Sequence, residues 1–180
     1  MRLIMALAAA ALISGAPVRA LDEVCAPGQG DPASPHVPDT LVTELIGWIA
    51  LHTMYDLRGL AASPPEIRFC AVGTDIEYEG QTLRVEPELR AAYDLPKRVV
   101  HLVLPWSADN PYDRSVLLHE LIHDVQLSNR DWACTGEPEW EAYTLQAIYL
   151  EEYGIIAPFD WSGILRLSRC PDAEAVDDQP

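Results

Sequence analysis

Basic residues are scarce in this chain. Its 180 residues include 12 Lys and Arg against 28 Asp and Glu, which gives a formal net charge of -16 at pH 7. Proteins that bind DNA, RNA or anionic membrane surfaces use Lys and Arg to displace the counterions of the phosphate groups. The charge balance therefore excludes nucleic acid and acidic membrane surfaces as expected partners.

Long apolar runs are missing as well. The run from Leu3 to Ile13 is too short to span a bilayer as a helix, and no later stretch approaches the required length of about 20 residues. Arg2 precedes this run, and the segment ends in the small residue Ala20, which is typical of a secretory signal peptide over residues 1–20. We expect cleavage after Ala20 and a periplasmic or secreted protein without a membrane anchor.

The four cysteines include no C-x-x-C pair, which argues against a zinc site built from cysteines. An even number of cysteines in an exported protein predicts two disulfide bonds. Three pairings are possible. Proximity along the chain favours Cys25 with Cys70 and Cys134 with Cys170.

The chain divides into segments of different composition. Residues 21–38 are rich in proline and predict an extended leader. Residues 171–180 carry four acidic groups and no basic one, which is typical of a disordered tail. Residues 39–170 remain as one folded domain that is long enough to bury a core.

Hydrophobic periodicity predicts the main elements of this domain. Helices are predicted over residues 39–57, 115–126 and 138–153, and strands over residues 66–72, 82–85 and 99–104. Gly154 is predicted to end the last of these helices.

The most informative motif is the HExxH segment from His119 to His123, inside the second predicted helix. Two histidines four residues apart lie on one helix face, about one turn apart, where both imidazoles can bind one Zn2+. Glu120 lies beside them and can accept a proton from water. The motif therefore predicts a zinc site with His119 and His123 as ligands.

A zinc site of this kind needs a third protein ligand. Gln126 and Asn129 occupy the positions that would identify the metzincin type, so a glutamate on the following helix is the expected source. On a helical wheel Glu139 lies in the middle of the apolar face, whereas Glu141 lies on the polar face. Because a buried carboxylate is costly unless it is paired or bound to metal, Glu139 is the predicted third ligand, with Glu141 as the alternative.

These residues resemble the gluzincin metallopeptidases, in which a glutamate from a second helix joins the HExxH helix. The chain looks most like a group of small exported bacterial HExxH proteins of unknown function. The resemblance covers residues 98–153 and implies an α+β, zincin-like fold, with a small antiparallel or mixed sheet packed on the HExxH helix and the Glu-ligand helix. It also implies that an edge strand lines the cleft. One position departs from the pattern, since Tyr143 stands where gluzincins often carry aspartate.

The expected function is that of an exported zinc-dependent metallopeptidase. It would hydrolyse peptide bonds through a zinc-activated water molecule, with Glu120 as the general base. The expected partner is a peptide or protein substrate, and we expect a monomer. The alternative is a zinc-binding protein of the same fold without turnover, acting as a binding or regulatory module.

Overall fold

A computed structural model describes residues 25–27 and 35–171. The predicted signal peptide, most of the predicted proline-rich leader and the predicted acidic tail beyond Pro171 lie outside the described residues. Within the described residues, none of the helices combines the length and the apolar character needed to cross a membrane.

Helices and strands alternate irregularly along the described part of the chain. The helices are α1 (Asp39–His52), α2 (Arg58–Ala62), α3 (Pro111–Asn129), α4 (Glu139–Glu152) and α5 (Trp161–Leu167). The strands are β1 (Ala26–Pro27), β2 (Glu66–Cys70), β3 (Asp75–Tyr78), β4 (Gln81–Arg84), β5 (Ala91–Asp94) and β6 (Val99–Val103).

A four-stranded mixed sheet has the strand order β1-β2-β6-β5. β2 and β6 run parallel, while β1 and β5 run antiparallel to their neighbours. β3 and β4 form a separate antiparallel hairpin. Together with the helices, this sheet confirms the predicted α+β class. Among the described residues β5 pairs with β6 alone, so β5 forms one edge of the sheet.

Local signals explain most of the element boundaries. α1 ends five residues earlier than predicted, because the backbone of Thr53 is extended and no longer helical. α3 begins four residues earlier than predicted, at Pro111, because proline suits the first helical turn and the Asn110 side chain accepts a hydrogen bond from Tyr112 N at 2.9 Å. Gly154 ends α4 with φ of 69°, as predicted.

α3 lies in the centre of the molecule. Its residues from Ser115 to Gln126 are all buried, so this helix is covered on every side. The main core cluster joins α3 to α1, α4 and the sheet through apolar side chains that include Leu45, Val100 and Tyr149. The HExxH motif is therefore held in a rigid, well-packed part of the fold.

Two disulfide bonds crosslink the described chain, Cys25–Cys70 and Cys134–Cys170. Both pairings are those favoured by proximity along the sequence. The first bond joins the residue before β1 to the last residue of β2, and the second joins the segment before α4 to the segment after α5.

An ion pair between a buried carboxylate and a half-exposed arginine joins α3 to the sheet edge. Asp124, which follows the motif directly, is only 3% exposed. Its carboxylate accepts hydrogen bonds from the Tyr93 hydroxyl on β5 at 2.6 Å and from the Arg98 guanidinium at 2.8 and 2.9 Å. These contacts fix the position of the motif relative to β5.

We predict that Arg98→Ala lowers the free energy of unfolding by about 3 kcal/mol, because the substitution leaves the Asp124 carboxylate buried without its cation. Urea denaturation of the purified protein measures this change. Arg84→Ala is the matched control, since Arg84 pairs with Asp75 at an exposed position and should change the free energy by less than about 1 kcal/mol. Equal losses in the two variants would contradict this role of Arg98.

Candidate metal centre

His119 and His123 lie one turn apart on α3 and face the same space. Both are buried, and their Nε2 atoms are 3.0 Å apart. The four-residue spacing on a helix produces this arrangement. The two imidazoles thus present one ring nitrogen each to a common point.

Glu139, the first residue of α4, reaches the same point. Its Oε2 lies 3.4 Å from His119 Nε2, and its Oε1 lies 3.5 Å from His123 Nε2. The ligand-type atoms of these three side chains all lie within 4.8 Å of one another. The structure therefore brings together the three residues that the sequence predicts as metal ligands, and we call them the ligand cluster.

Glu141, the alternative ligand, lies outside this cluster. Its Oε2 accepts hydrogen bonds from the Tyr55 hydroxyl at 2.5 Å and from Gln126 Nε2 at 2.9 Å. Although the helical wheel assigns Glu141 to the polar face, these partners hold it in a half-buried position. Its role in this structure is to support Gln126.

Gln126 orients the imidazole of His123. Its Nε2 donates to Pro138 O at 3.1 Å and to Glu141, so its Oε1 must face His123 Nδ1, 2.9 Å away. An amide oxygen accepts only, which places a proton on Nδ1 of this histidine.

Gln146 on α4 orients His119 in the same way. Its Nε2 donates to Ser115 Oγ at 3.0 Å, while the Ser115 hydroxyl donates onward to Tyr112 O at 2.7 Å. Gln146 Oε1 therefore accepts from His119 Nδ1, at 3.1 Å. Both neutral imidazoles then carry their proton on Nδ1 and direct the Nε2 lone pair into the cluster.

The ligand cluster thus consists of acceptors. Two imidazole lone pairs and one carboxylate meet in a largely buried space, and their mutual repulsion needs a cation or a bound proton between them. Two imidazoles and one carboxylate form a donor set that suits Zn2+ and leaves a fourth position open. The residues present therefore fit a zinc ion.

Sequence reasoning missed both glutamines as partners of the histidines. Gln146 lies seven residues after Glu139, two turns along the same face of α4, where a polar residue stands in the apolar face. A buried polar group needs a partner, and this rule identifies Gln146 as well as Glu139. Tyr143, one turn before it, instead packs its ring against His119 with 4.5 Å between ring centroids.

The Glu120 residue is also buried and is 7% exposed. Burial raises the pKa of its carboxyl above the ordinary value, and the charge of Glu139 raises it further, while the two histidines act in the opposite direction. A carboxyl with a raised pKa releases and takes up a proton closer to neutral pH.

The charges of Glu139 and His123 are coupled. Burial opposes ionisation of Glu139, but hydrogen bonds to His119 and His123 outweigh it and lower the pKa of Glu139 to about 2. Burial alone would lower the pKa of His123, and the carboxylates of Glu139 and Glu120 raise it above its ordinary value. Without metal, the pair therefore favours a carboxylate and an imidazolium.

Two cavities meet at the motif. One of about 600 Å³ and one of about 270 Å³ are both lined by His119, Glu120 and Tyr143, and both touch β5. Together they form a cleft along the sheet edge, which we call the central cleft. A larger cavity of about 1090 Å³ lies between α1 and β2 and contains no member of the ligand cluster in its lining.

His101 belongs to a different part of the fold. It lies on β6, buried beside the Cys25–Cys70 disulfide, with Nδ1 3.6 Å from Cys70 Sγ. These three side chains also lie close enough together to suggest a metal site. Disulfide sulfurs are not thiolate ligands, so this group is structural.

The comparisons with known proteins give one family. A protein-family model described as a domain of unknown function, DUF6647, matches residues 34–178, a range that includes His119, Glu120, His123 and Glu139. No curated protein and no solved structure gives a significant match to the chain. Because the match spans well over half of the sequence, the chain belongs to the DUF6647 family.

Proposed function

We propose that this protein is an exported zinc-dependent metallopeptidase with a zincin-like fold. The observation that carries the proposal is the convergence of His119, His123 and Glu139 as three acceptors, with Glu120 beside them at the centre of a cleft. The two disulfide bonds support export, because such bonds persist in oxidising compartments.

Zinc, when bound by His119, His123 and Glu139, would supply a Lewis acid that polarises a carbonyl group and makes water more acidic. Gln126 and Gln146 hold the two imidazoles in the tautomer that presents Nε2 to the metal. The buried stretch of α3 from Ser115 to Gln126 keeps this geometry fixed.

Glu120 is the group that moves a proton. Its carboxylate accepts a proton from a water molecule in the central cleft and then donates it to the amine nitrogen that leaves. The raised pKa of Glu120 suits both steps, since a carboxyl of ordinary pKa holds a proton poorly at neutral pH.

The substrate would lie along β5. A sheet edge leaves backbone N–H and C=O groups unpaired, and an extended peptide can pair with them as an added strand. β5 is such an edge among the described residues, and Ala91 lines both cavities of the central cleft. A peptide bound there would cross the motif.

Zinc binding is tested by comparing Glu139→Ala with Glu141→Ala. We expect about one zinc per wild-type chain, a loss of affinity of more than about 100-fold in Glu139→Ala because a ligand is removed, and near-normal zinc in Glu141→Ala. Elemental analysis and competition with a chelator measure both. Equal zinc in the two variants would remove Glu139 from the ligand set.

Glu120→Gln tests catalysis separately from metal binding. Peptide hydrolysis should fall by about 10²- to 10⁴-fold, because glutamine cannot accept the proton, while zinc content stays unchanged. Mass spectrometry of a peptide library shows cleavage. Stoichiometric zinc without cleavage by the wild-type protein would support the alternative, a zinc-binding module without turnover.

The coupled pair predicts how the metal-free protein responds to pH. Glu139, with pKa about 2 when folded and 4.5 ordinarily, stabilises the fold above pH 4.5 and loses this contribution as pH falls toward 2. His123, with a folded pKa above 6.5, stabilises the fold below pH 6.5 and loses this contribution as pH rises through that folded value. The contribution of the pair should therefore be largest between pH 4.5 and 6.5.

Thermal unfolding in the presence of chelator, measured across pH for wild type and Glu139→Gln, isolates this contribution. The difference between the two proteins should shrink on both sides of the window. A difference that keeps growing above neutral pH would show that the pair does not hold a proton. Added zinc should restore stability at neutral pH in the wild type, since metal takes the place of that proton.

A further inference from the structure

The smaller cavity of the central cleft lies at the beginning of β5. Its lining includes the consecutive residues from Glu88 to Ala91, whereas the larger cavity extends along β5 to Leu95. Glu120 lines both, so a bond to be hydrolysed lies between the two cavities. The smaller cavity thus lies on the side of that bond nearer the beginning of β5, and the larger cavity lies on the other side.

The direction of β5 decides which part of a peptide enters this cavity. Antiparallel pairing is the more stable arrangement for an added strand. A peptide antiparallel to β5 places its C-terminal side at the beginning of β5. The part that leaves as the amine product therefore occupies the smaller cavity.

This cavity has room for little more than one large side chain. Its volume is about 270 Å³, and three aromatic residues contribute to its walls: Tyr112, Tyr143 and Phe159. Tyr143 and Phe159 pack edge to face, with 5.1 Å between ring centroids. Aromatic walls favour an aromatic or large aliphatic side chain.

Arg90 places a cation in the same cavity. One of its terminal nitrogens, Nη2, lies 3.4 Å from the buried carboxylate of Asp113, and its Nε is buried without a hydrogen-bond partner among the described residues. The side chain is half-exposed and retains unused donors. A guanidinium with free donors binds a carboxylate with paired hydrogen bonds. Glu88 also lines this cavity, but it is exposed to solvent, where its charge is screened.

We propose that the smaller cavity binds the C-terminal residue of a peptide, with Arg90 holding the free α-carboxylate, so that the enzyme removes single aromatic or large apolar residues from C-termini. This inference rests on the proposed peptidase function. The reaction adds water across the last peptide bond: the water oxygen bonds to the carbonyl carbon and the C–N bond breaks. One water proton passes through Glu120 to the leaving nitrogen, and the products are a free amino acid and the shortened peptide.

The test uses zinc-loaded protein and two peptides of one sequence ending in phenylalanine, one with a free carboxylate and one with a C-terminal amide. We expect kcat/KM to be about 100-fold higher for the free acid, with phenylalanine as the product, because the neutral amide forms no ion pair with Arg90. Arg90→Ala should reduce this ratio to about 5 or less. Arg90→Lys should give a ratio between those of the wild type and Arg90→Ala. Arg84→Ala is the matched control, since Arg84 is exposed and lines neither cavity of the central cleft, and it should keep the full ratio.

A binding measurement separates this subsite from catalysis. Calorimetry of metal-free protein in chelator should show that N-acetylphenylalanine binds at least about 10-fold more tightly than N-acetylphenylalaninamide, and that Arg90→Lys removes most of this preference. Equal cleavage of the acid and the amide, or cleavage at internal bonds, overturns the inference and leaves the peptidase proposal intact. Zinc binding without cleavage of either peptide overturns the peptidase proposal and this inference with it. Equal binding of the two ligands overturns the carboxylate subsite.

Discussion

The central constraint of this protein is electrostatic: two imidazole nitrogens and one carboxylate are packed together in a largely buried space. Gln126 and Gln146 fix the proton of each neutral imidazole on the far nitrogen, so only an added proton or a metal ion can separate His119, His123 and Glu139. Such a group is unfavourable unless a metal ion or a bound proton lies between its members. α3 and α4 pack against each other across the main core cluster, which prevents the acceptors from moving apart. The packing of α3 against α4 therefore stabilises the fold and, because it holds the acceptors together, also gives this centre its affinity for a positive charge.

Helical periodicity was sufficient to predict the ligand cluster. The four-residue spacing of the histidines and the place of Glu139 in an apolar helix face are local properties, and the structure brings these side chains together. Reasoning about buried polar groups also singles out Gln126 and Gln146. Their role as partners of the histidines depends on contacts with another element or another helical turn, which only the structure shows. Proximity along the chain also selected both disulfide pairings, since short loops close at a lower entropic cost.

The sequence did not reveal the elements that shape the cleft. β5 consists of Ala91, Ala92, Tyr93 and Asp94, and alanine and aspartate are depleted in strands, so its conformation depends on pairing with β6. The extension of the first helix to residue 57 was wrong because Thr53 adopts an extended backbone. Arg90 and Phe159 are far apart in sequence, and only the tertiary fold places both in one cavity. The shape of the cleft depends on contacts between residues far apart in the sequence, and a periodic pattern does not predict such contacts.

The Cys134–Cys170 bond has a consequence for when the cleft is complete. Cys134, Leu167, Arg169 and Pro171 all line the larger cavity, so the crosslink holds one wall of it in place. The loop it closes also contains Glu139 and Gln146. In a compartment that keeps thiols reduced, the newly made chain would lack this tether. Oxidation would therefore act as a maturation step, in which formation of the bond holds the wall of the cleft and the helix that carries Glu139 together.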